Sequence, residues 1–182
     1  MKGSNERVIY YKELVYEDIV FLYRDKTEIL TDHFFFYINH NSPLGISGSD
    51  ASSFFEEQAS IYTFIGIYTY GVDKPIVILK FSDLDAVNPF LNLSIFIVSE
   101  TEDEFISEAI QKVICEYFSG QQVKKIVCVV FSNEKTEIKH LGLSNFNHEV
   151  SYPQYYYIKG RYIDVEIYSL LAGDIKEHYI TA

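Results

Sequence analysis

The sequence predicts an α/β (α+β) fold that ends in a β-hairpin. Runs of β-branched and aromatic residues alternate with segments whose apolar residues recur at helical spacing. The last two runs, residues 150–158 and 162–171, flank a short turn at Gly160 and predict one long, tyrosine-rich hairpin. No linker, internal repeat or low-complexity tract interrupts the 182 residues, so we expect a single domain over residues 1–182.

The first half of the chain carries two predicted helices among several strands. Residues 8–15 have the β-branched and aromatic composition of a strand. Residues 16–18 then open an amphipathic helix, and Ser49 or Asp50 caps a second helix after a turn-forming stretch. Further predicted strands cover residues 62–70, 75–81, 91–98 and 124–131.

The clearest predicted helix follows the strand at residues 91–98. Thr101 is a favoured N-cap residue, and Glu104 stands three positions later, which together make a capping-box sequence. An apolar stripe runs along one face of this helix, and Gly120 ends it. With a further helix over residues 133–143, the predicted order is β-α-α-β-β-β-α-β-α-β-β.

Composition excludes several classes of function. The formal net charge of −11 at pH 7 argues against a nucleic-acid binder, because phosphate contacts need clustered Lys and Arg. The acidic surface serves solubility alone or steers a cationic partner, such as a polyamine or a basic protein tail. The apolar runs are far shorter than the roughly 20 residues of a membrane span, and no signal-peptide pattern opens the chain. We therefore expect a cytoplasmic protein without a membrane partner, and no His or Cys spacing predicts a metal site.

Several short motifs in the second half of the chain point to one family. They are Phe146 with Glu149 before a tyrosine-rich strand, the run Gly160-Arg161-Tyr162-Ile163-Asp164, Ser132-Asn133-Glu134 after the fifth predicted strand, and Glu108-Ala109 inside the third predicted helix. This pattern resembles the GCN5-related N-acetyltransferase (GNAT) superfamily, in particular its ribosomal-protein and polyamine acetyltransferase branch. The resemblance covers most of the chain and is strongest from Leu91 onward.

The resemblance implies a central mixed, mostly antiparallel sheet flanked by about four helices. It also implies a V-shaped cleft between the fourth and fifth strands, in which acetyl-CoA or another acyl-CoA binds. The pantetheine arm would lie along Ser94–Val98, with Phe96, Ile97 and Val98 as its cofactor-binding residues. Thr101 and Asn133 would be the other cofactor-binding residues, with the pyrophosphate on the amides that open the next helix. An amine of a small molecule or a basic protein would attack the thioester directly.

The cofactor loop departs from the family pattern. The family reads Gln/Arg-x-x-Gly-x-Gly/Ala there, and counting back from Glu108-Ala109 places its two glycines at Glu102 and Glu104. Side chains replace the glycines, and like charges at near contact cost about 1 kcal/mol per pair even under strong screening. The alternative is that these carboxylates simply cap an ordinary helix and use its dipole for themselves.

The position of the general acid is also altered. The family places a tyrosine about five residues before a Gly-Phe pair, and here that position falls on Leu141 or, by another count, on His140. His140 is our candidate catalytic residue, because the ordinary pKa of histidine lies near neutrality and suits protonation of a departing thiolate. The alternative is a solvent-facing histidine on a polar helix.

Two functions therefore stay open. The first is a GNAT-like N-acyltransferase with an atypical cofactor loop, acting on a small amine or a protein. The second is a catalytically inactive GNAT-fold module, a homodimer with a binding or regulatory role, that does not bind acetyl-CoA. The tyrosines of the hairpin belong to the core, to the lip of a substrate pocket or to a dimer contact; they are Tyr152, Tyr155, Tyr156, Tyr157 and Tyr162.

Overall fold

The computed structural model describes residues 9–15, 17–18, 62–82, 89–98, 103–118, 123–131, 145–158 and 160–174. The elements in chain order are β1 (Ile9–Glu13), β2 (Tyr62–Thr69), β3 (Val77–Ser82), β4 (Phe90–Ile97), α1 (Asp103–Phe118), β5 (Lys125–Phe131), β6 (Asn147–Ile158) and β7 (Arg161–Leu171). Of the first predicted helix, Glu17 and Asp18 are described and are helical. The predicted helices at Ser49 or Asp50 and at residues 133–143 lie outside the described residues.

The seven strands follow the hydrogen-bonded order β1-β2-β3-β4-β5-β7-β6. β4 and β5 pair in parallel, whereas the β1–β2, β5–β7 and β6–β7 pairs are antiparallel. A parallel pair needs a long crossover, and α1 lies between β4 and β5 in the chain. The prediction of a mixed, mostly antiparallel sheet is thus confirmed, and the number of flanking helices stays a prediction.

The chain packs as two compact units. Unit 1 comprises residues 1–80 and 95–100, and unit 2 comprises residues 81–94 and 101–182. Among the described elements, unit 1 holds β1, β2, most of β3 and the end of β4, and unit 2 holds the others. That the chain is a single domain stays a prediction.

Unit 1 is built around β2. Its residues Phe64, Ile65 and Ile67 are at most 1% exposed, which is the pattern of a strand buried on both faces. β1 pairs with it from Ile9–Thr69 to Glu13–Ile65. The turn after β2 contains Gly71, whose φ of 84° lies in the region that only glycine adopts without strain.

A carboxylate fixes the chain where β1 ends. Asp18 accepts a hydrogen bond from the backbone N–H of Val15 at 3.3 Å, and its other oxygen lies 3.0 Å from the ammonium of Lys12. A side chain three positions on that bonds back to the N–H of the N-cap residue is one half of a capping box. The hydrogen bond between Val15 and Asp18 thus explains why the first predicted helix begins here.

Unit 2 combines α1 with the C-terminal strands. The buried face of α1 consists of apolar side chains at helical spacing, each at most 2% exposed: Ile106, Ala109, Ile110, Val113 and Ile114. β7 pairs with β5 from Leu171–Lys125 to Val165–Phe131, and β6 pairs with β7 as the predicted hairpin. β6 begins at Asn147, three residues before the predicted start at Val150, because Asn147 and His148 also pair with Ser169 and Tyr168 of β7.

Candidate functional site

The strand segment predicted to hold the pantetheine arm is the end of β4 with Val98 after it. Phe96 and Val98 are buried, and Ile97 is half-buried. The amide of Val98 already donates a hydrogen bond to the carbonyl of Ile76 at 2.9 Å. Because the backbone groups of successive residues point to opposite edges of a strand, the amide of Ile97 points away from Ile76. Of Phe96, Ile97 and Val98, Ile97 is therefore the residue whose backbone amide points to the strand edge away from Ile76, as the predicted pantetheine contact requires.

The predicted pyrophosphate site lies at the start of α1. This helix begins at Asp103, so Asp103 and Glu104 occupy its first turn. Negative charge in a first turn is stabilised by the helix dipole, as the capped-helix interpretation requires. Thr101 and Glu102 lie outside the described residues, so the capping box and the atypical loop stay predictions, as does the cleft between the fourth and fifth strands.

Two other predicted site residues, Asn133 and His140, also lie outside the described residues. β5 ends at Phe131, two residues before Asn133, as the resemblance requires of an asparagine that follows the fifth strand. The cofactor-binding role of Asn133 and the catalytic role of His140 stay predictions.

The described part of unit 2 contains a charged cluster that we call the Glu149 clamp. The carboxylate of Glu149 on β6 lies 2.6 Å from the ammonium of Lys125 on β5 and accepts a hydrogen bond of 2.6 Å from the hydroxyl of Ser169 on β7. The bond from Lys125, followed by the bond from Ser169, lowers the pKa of Glu149. Ser169 is 2% exposed. A carboxylate that is ionised at neutral pH and lies between two donors ties three strands together and does not transfer protons near that pH.

The Glu149 clamp predicts a specific dependence of stability on pH. The folded pKa of Glu149 lies below its ordinary value of 4.5, so the clamp stabilises the fold above that value and loses this effect as the pH falls through the folded pKa. We expect Glu149→Gln to lower the urea midpoint at pH 7 and to differ little from the native chain in strong acid. The measurement is urea unfolding followed by circular dichroism at both pH values.

Glu116→Gln is the matched control. The carboxylate of Glu116 lies 3.8 Å from Lys112 on the exposed surface of α1, where such a pair contributes only a few tenths of a kcal/mol. A Glu149→Gln variant that behaves like Glu116→Gln at pH 7 would contradict the stabilising role of the clamp.

A second polar group of unit 2 surrounds Tyr168. Its hydroxyl donates to Glu166 at 2.8 Å, and its ring lies edge-on to His148 with 5.1 Å between ring centroids. Burial, followed by the bond to Glu166, raises the pKa of Tyr168 to about 12. His148 Nε2 is 3.0 Å from the hydroxyl of Ser151. Tyr168 thus keeps its proton at physiological pH and acts as a hydrogen-bond donor.

Unit 1 contains one buried amine among its described residues. Lys80 on β3 is 5% exposed, and its ammonium lies 3.7 Å from the centroid of the Tyr62 ring on β2. Burial lowers the pKa of Lys80 to about 8, because the charged form loses hydration. The face of the ring attracts the cation and opposes this effect.

Sequence reasoning identified neither Lys80 nor the Glu149 clamp as a functional or structural cluster. For Lys80 a signal was present, since it is the single charged residue of the apolar run at residues 76–81. For the clamp there was none, because Lys125, Glu149 and Ser169 are far apart in the sequence and meet only through the β5-β7-β6 order.

Two features are absent from the described residues. No three His, Cys, Asp or Glu side chains among them converge as ligands of a metal ion. Within the same residues, no helix has the length and apolar character needed to cross a bilayer.

Comparison with known proteins gives a consistent result at the level of the fold. No protein-family profile matches the chain, and no curated protein sequence matches it. Solved structures do match. A mutant of the spermidine N-acetyltransferase SpeG from Vibrio cholerae superposes with a TM-score of 0.70 at 15% identity, over 92% of this chain and 95% of that one.

Two other solved structures are also similar to this chain in their fold. A dodecameric spermidine N-acetyltransferase from Vibrio cholerae has a TM-score of 0.69 at 14% identity, over 94% of this chain and 98% of that one. The protein smu.2055 from Streptococcus mutans has a TM-score of 0.62 at 16% identity, over 89% and 98% of the two chains. At such low identities the likeness concerns the fold alone, and this chain has the GNAT fold.

Proposed function

We propose that the chain is a GNAT-like N-acyltransferase that transfers an acyl group, such as acetyl, from acyl-CoA to an amine. The observation that carries this proposal is the superposition on spermidine N-acetyltransferases over more than nine-tenths of the chain. The parallel β4–β5 pair with α1 as its crossover supports it, since the proposed pyrophosphate site lies at the start of that helix.

The proposed cofactor contacts follow from these elements. The pantetheine arm lies along Phe96, Ile97 and Val98, and Ile97 supplies the backbone pairing because its amide points away from Ile76. The pyrophosphate lies on the amides that open α1, next to Thr101, where the positive end of the helix dipole favours anions. Asn133, after β5, completes the proposed set.

The proposed acceptor is a cationic small molecule or a basic protein segment. The net charge of −11 attracts such substrates over long distances. Polyamine acetyltransferases among the structural neighbours make a polyamine the first compound to test. In the proposed reaction the neutral amine would attack the thioester carbonyl, so that a C–N bond forms and the C–S bond breaks. His140 would protonate the departing thiolate, and the proton lost from the amine nitrogen would pass to water, from which His140 is protonated again.

The second candidate function is a GNAT-fold binding or regulatory module that does not bind acetyl-CoA. The acidic first turn of α1 favours it, because the charges of Asp103 and Glu104 lie where the helix dipole would otherwise favour a phosphate. A homodimer is proposed for either function. These two candidates differ in a directly measurable property, the affinity for acetyl-CoA.

Calorimetric titration with acetyl-CoA tests the proposal. We expect weak binding by the native chain and binding tighter by roughly tenfold or more in Glu102→Gly/Glu104→Gly, because each removed carboxylate relieves about 1 kcal/mol of repulsion. Glu108→Gln/Glu116→Gln is the matched control, since it removes the same charge farther along α1 and should leave the affinity nearly unchanged.

The other outcomes decide between the two functions. Binding confined to the Glu102→Gly/Glu104→Gly variant indicates that the cofactor site was lost at this loop and that the chain is a binding module. Absence of binding in every variant rejects acyl transfer altogether. If the native chain binds, acetylation of spermidine with His140→Ala alongside tests the proposed general acid, and we expect kcat to fall while acetyl-CoA affinity is kept.

A further inference from the structure

An irregularity near the start of β6 brings a histidine and a serine together. The β6–β7 register shifts between His148 and Val150, which leaves Glu149 as an extra residue in β6. In a regular strand, residues three positions apart point to opposite faces. Here Nε2 of His148 lies 3.0 Å from Oγ of Ser151, three positions on, so both side chains use the same face. Bulges often lie next to active sites, where they redirect a side chain in this way.

The imidazole of His148 is held in place by side chains of β7. Its ring makes an edge contact with the ring of Tyr168, with 5.1 Å between centroids, and the Tyr168 hydroxyl donates to Glu166 at 2.8 Å. Glu166 lies directly opposite Ser151 in the strand register, and opposite residues of an antiparallel pair share a face. We call these four residues, His148, Ser151, Glu166 and Tyr168, the His148 cluster.

The His148 cluster is open to small molecules. His148 and Ser151 are both exposed, and Glu166 and Tyr168 are half-buried. β6 is the edge strand of the described seven-stranded sheet, so one row of its backbone N–H groups faces no neighbouring strand of that sheet. Backbone N–H groups of this kind stabilise the negative oxygen of a tetrahedral intermediate. A small ester can therefore approach Ser151 beside backbone donors of the same strand.

The geometry of His148 and Ser151 is that of a base beside a nucleophile. In the tautomer that carries its hydrogen on Nδ1, Nε2 of His148 accepts the hydrogen bond from the Ser151 hydroxyl. Their separation of 3.0 Å lies in the range of about 2.6–3.2 Å that such pairs show. The carboxylate of Glu166 on the same face favours the imidazolium that forms when Nε2 takes the proton.

We propose that Ser151 is a nucleophile that hydrolyses small carboxylic esters, with His148 as its base. Oγ of Ser151 attacks the ester carbonyl, and its proton passes to Nε2 of His148. The C–O bond to the alcohol breaks, and the alcohol leaves with that proton. Water then attacks the acyl-serine, its proton passes through Nε2 to Oγ, and the carboxylic acid is released. The inference does not rest on acyl transfer from acyl-CoA, because no residue proposed for that reaction takes part.

Stopped-flow kinetics with 4-nitrophenyl acetate tests this inference, because the release of 4-nitrophenolate reports the acylation step. We expect a burst of about one equivalent per chain followed by slower turnover. Mass spectrometry of the quenched protein should find an acetyl group on Ser151. Ser151→Ala should lose both the burst and this acetyl group. Ser107→Ala is the matched control, since it removes a serine hydroxyl from α1 and should keep both.

His148→Gln separates a catalytic role of His148 from a structural one. Glutamine can still hydrogen-bond with the Ser151 hydroxyl but cannot take its proton. We therefore expect the acylation rate to fall roughly 100-fold or more, with an unchanged circular dichroism spectrum. The inference is overturned if the native chain shows no burst, if the acetyl group is on another residue, or if His148→Gln is acylated as fast as the native chain. Acetyl-CoA is absent from this assay, so a failure of the proposed acyl-CoA reaction does not affect its outcome.

Discussion

Replacing Gly66 with alanine is expected to destabilise unit 1 by about 2–3 kcal/mol. A methyl group on Gly66 would lie 2.8 Å from Cε2 of Tyr68 and 2.9 Å from Cδ2 of Leu14. Both side chains are buried, at 4% and 5% exposure, and the Tyr68 ring is stacked on Tyr10 with centroids 5.1 Å apart. Because both side chains are buried, room for the methyl group requires that the Tyr68 ring shift against Tyr10 or that Leu14 move, and either change loses packing.

The measurement is urea unfolding followed by far- and near-ultraviolet circular dichroism. Gly173→Ala is the matched control, since a methyl group there has no atom within 4 Å and Gly173 has an ordinary φ. This control should be neutral or slightly stabilising, because alanine restricts the unfolded chain more than glycine does. An equal urea midpoint for the two variants would refute the close approach at Gly66.

Replacing Lys80 with methionine is expected to stabilise the protein by about 2 kcal/mol at pH 7. The pKa of Lys80 falls from 10.5 to about 8 through burial, and such a shift corresponds to about 3 kcal/mol. The contact with the Tyr62 ring stabilises the charged form by roughly 0.5–2 kcal/mol. Burial is the larger effect, and methionine fills a similar volume without a charge.

The pH dependence of stability tests whether the buried charge of Lys80 causes this difference between the native chain and Lys80→Met. The folded pKa of Lys80 lies below the unfolded one, so the unfolded chain binds more protons between about pH 8 and 10.5. The stability of the native chain should therefore rise across this window relative to Lys80→Met, and the two should converge above it. Burial also raises the pKa of Tyr68 to about 12, but this effect is common to both proteins and cancels. Lys124→Met, at an exposed lysine, should show no such convergence.

Much of the fold could be predicted from the sequence because its elements depend on local patterns. β5 was predicted at residues 124–131 from a β-branched run, and it covers Lys125–Phe131. The helix after the fourth strand was predicted from apolar spacing, and its described span is Asp103–Phe118. The hairpin turn was predicted at Gly160, which has a φ of 83°. Composition and periodicity within some ten residues determine such elements.

The candidate site could be predicted only in part. The sequence placed Phe96, Ile97 and Val98 on a strand, but which backbone faces the proposed cofactor follows from the bond between Val98 and Ile76. The roles of Thr101, Asn133 and His140 rest on the resemblance, since these residues lie outside the described part of the chain. Binding and mutagenesis are therefore the tests of that part of the site.

The sequence by itself determined the order of the seven strands, the helix between β4 and β5, the acidic charge and the tyrosine-rich hairpin. Only the tertiary structure decided that Lys80 is buried against Tyr62, that Glu149 bridges Lys125 and Ser169, and that the hairpin extends past β5. The physical reason is that these features depend on which strands become neighbours and in which register. Strand pairing joins residues distant in the chain, and a local pattern specifies a strand without specifying its partner.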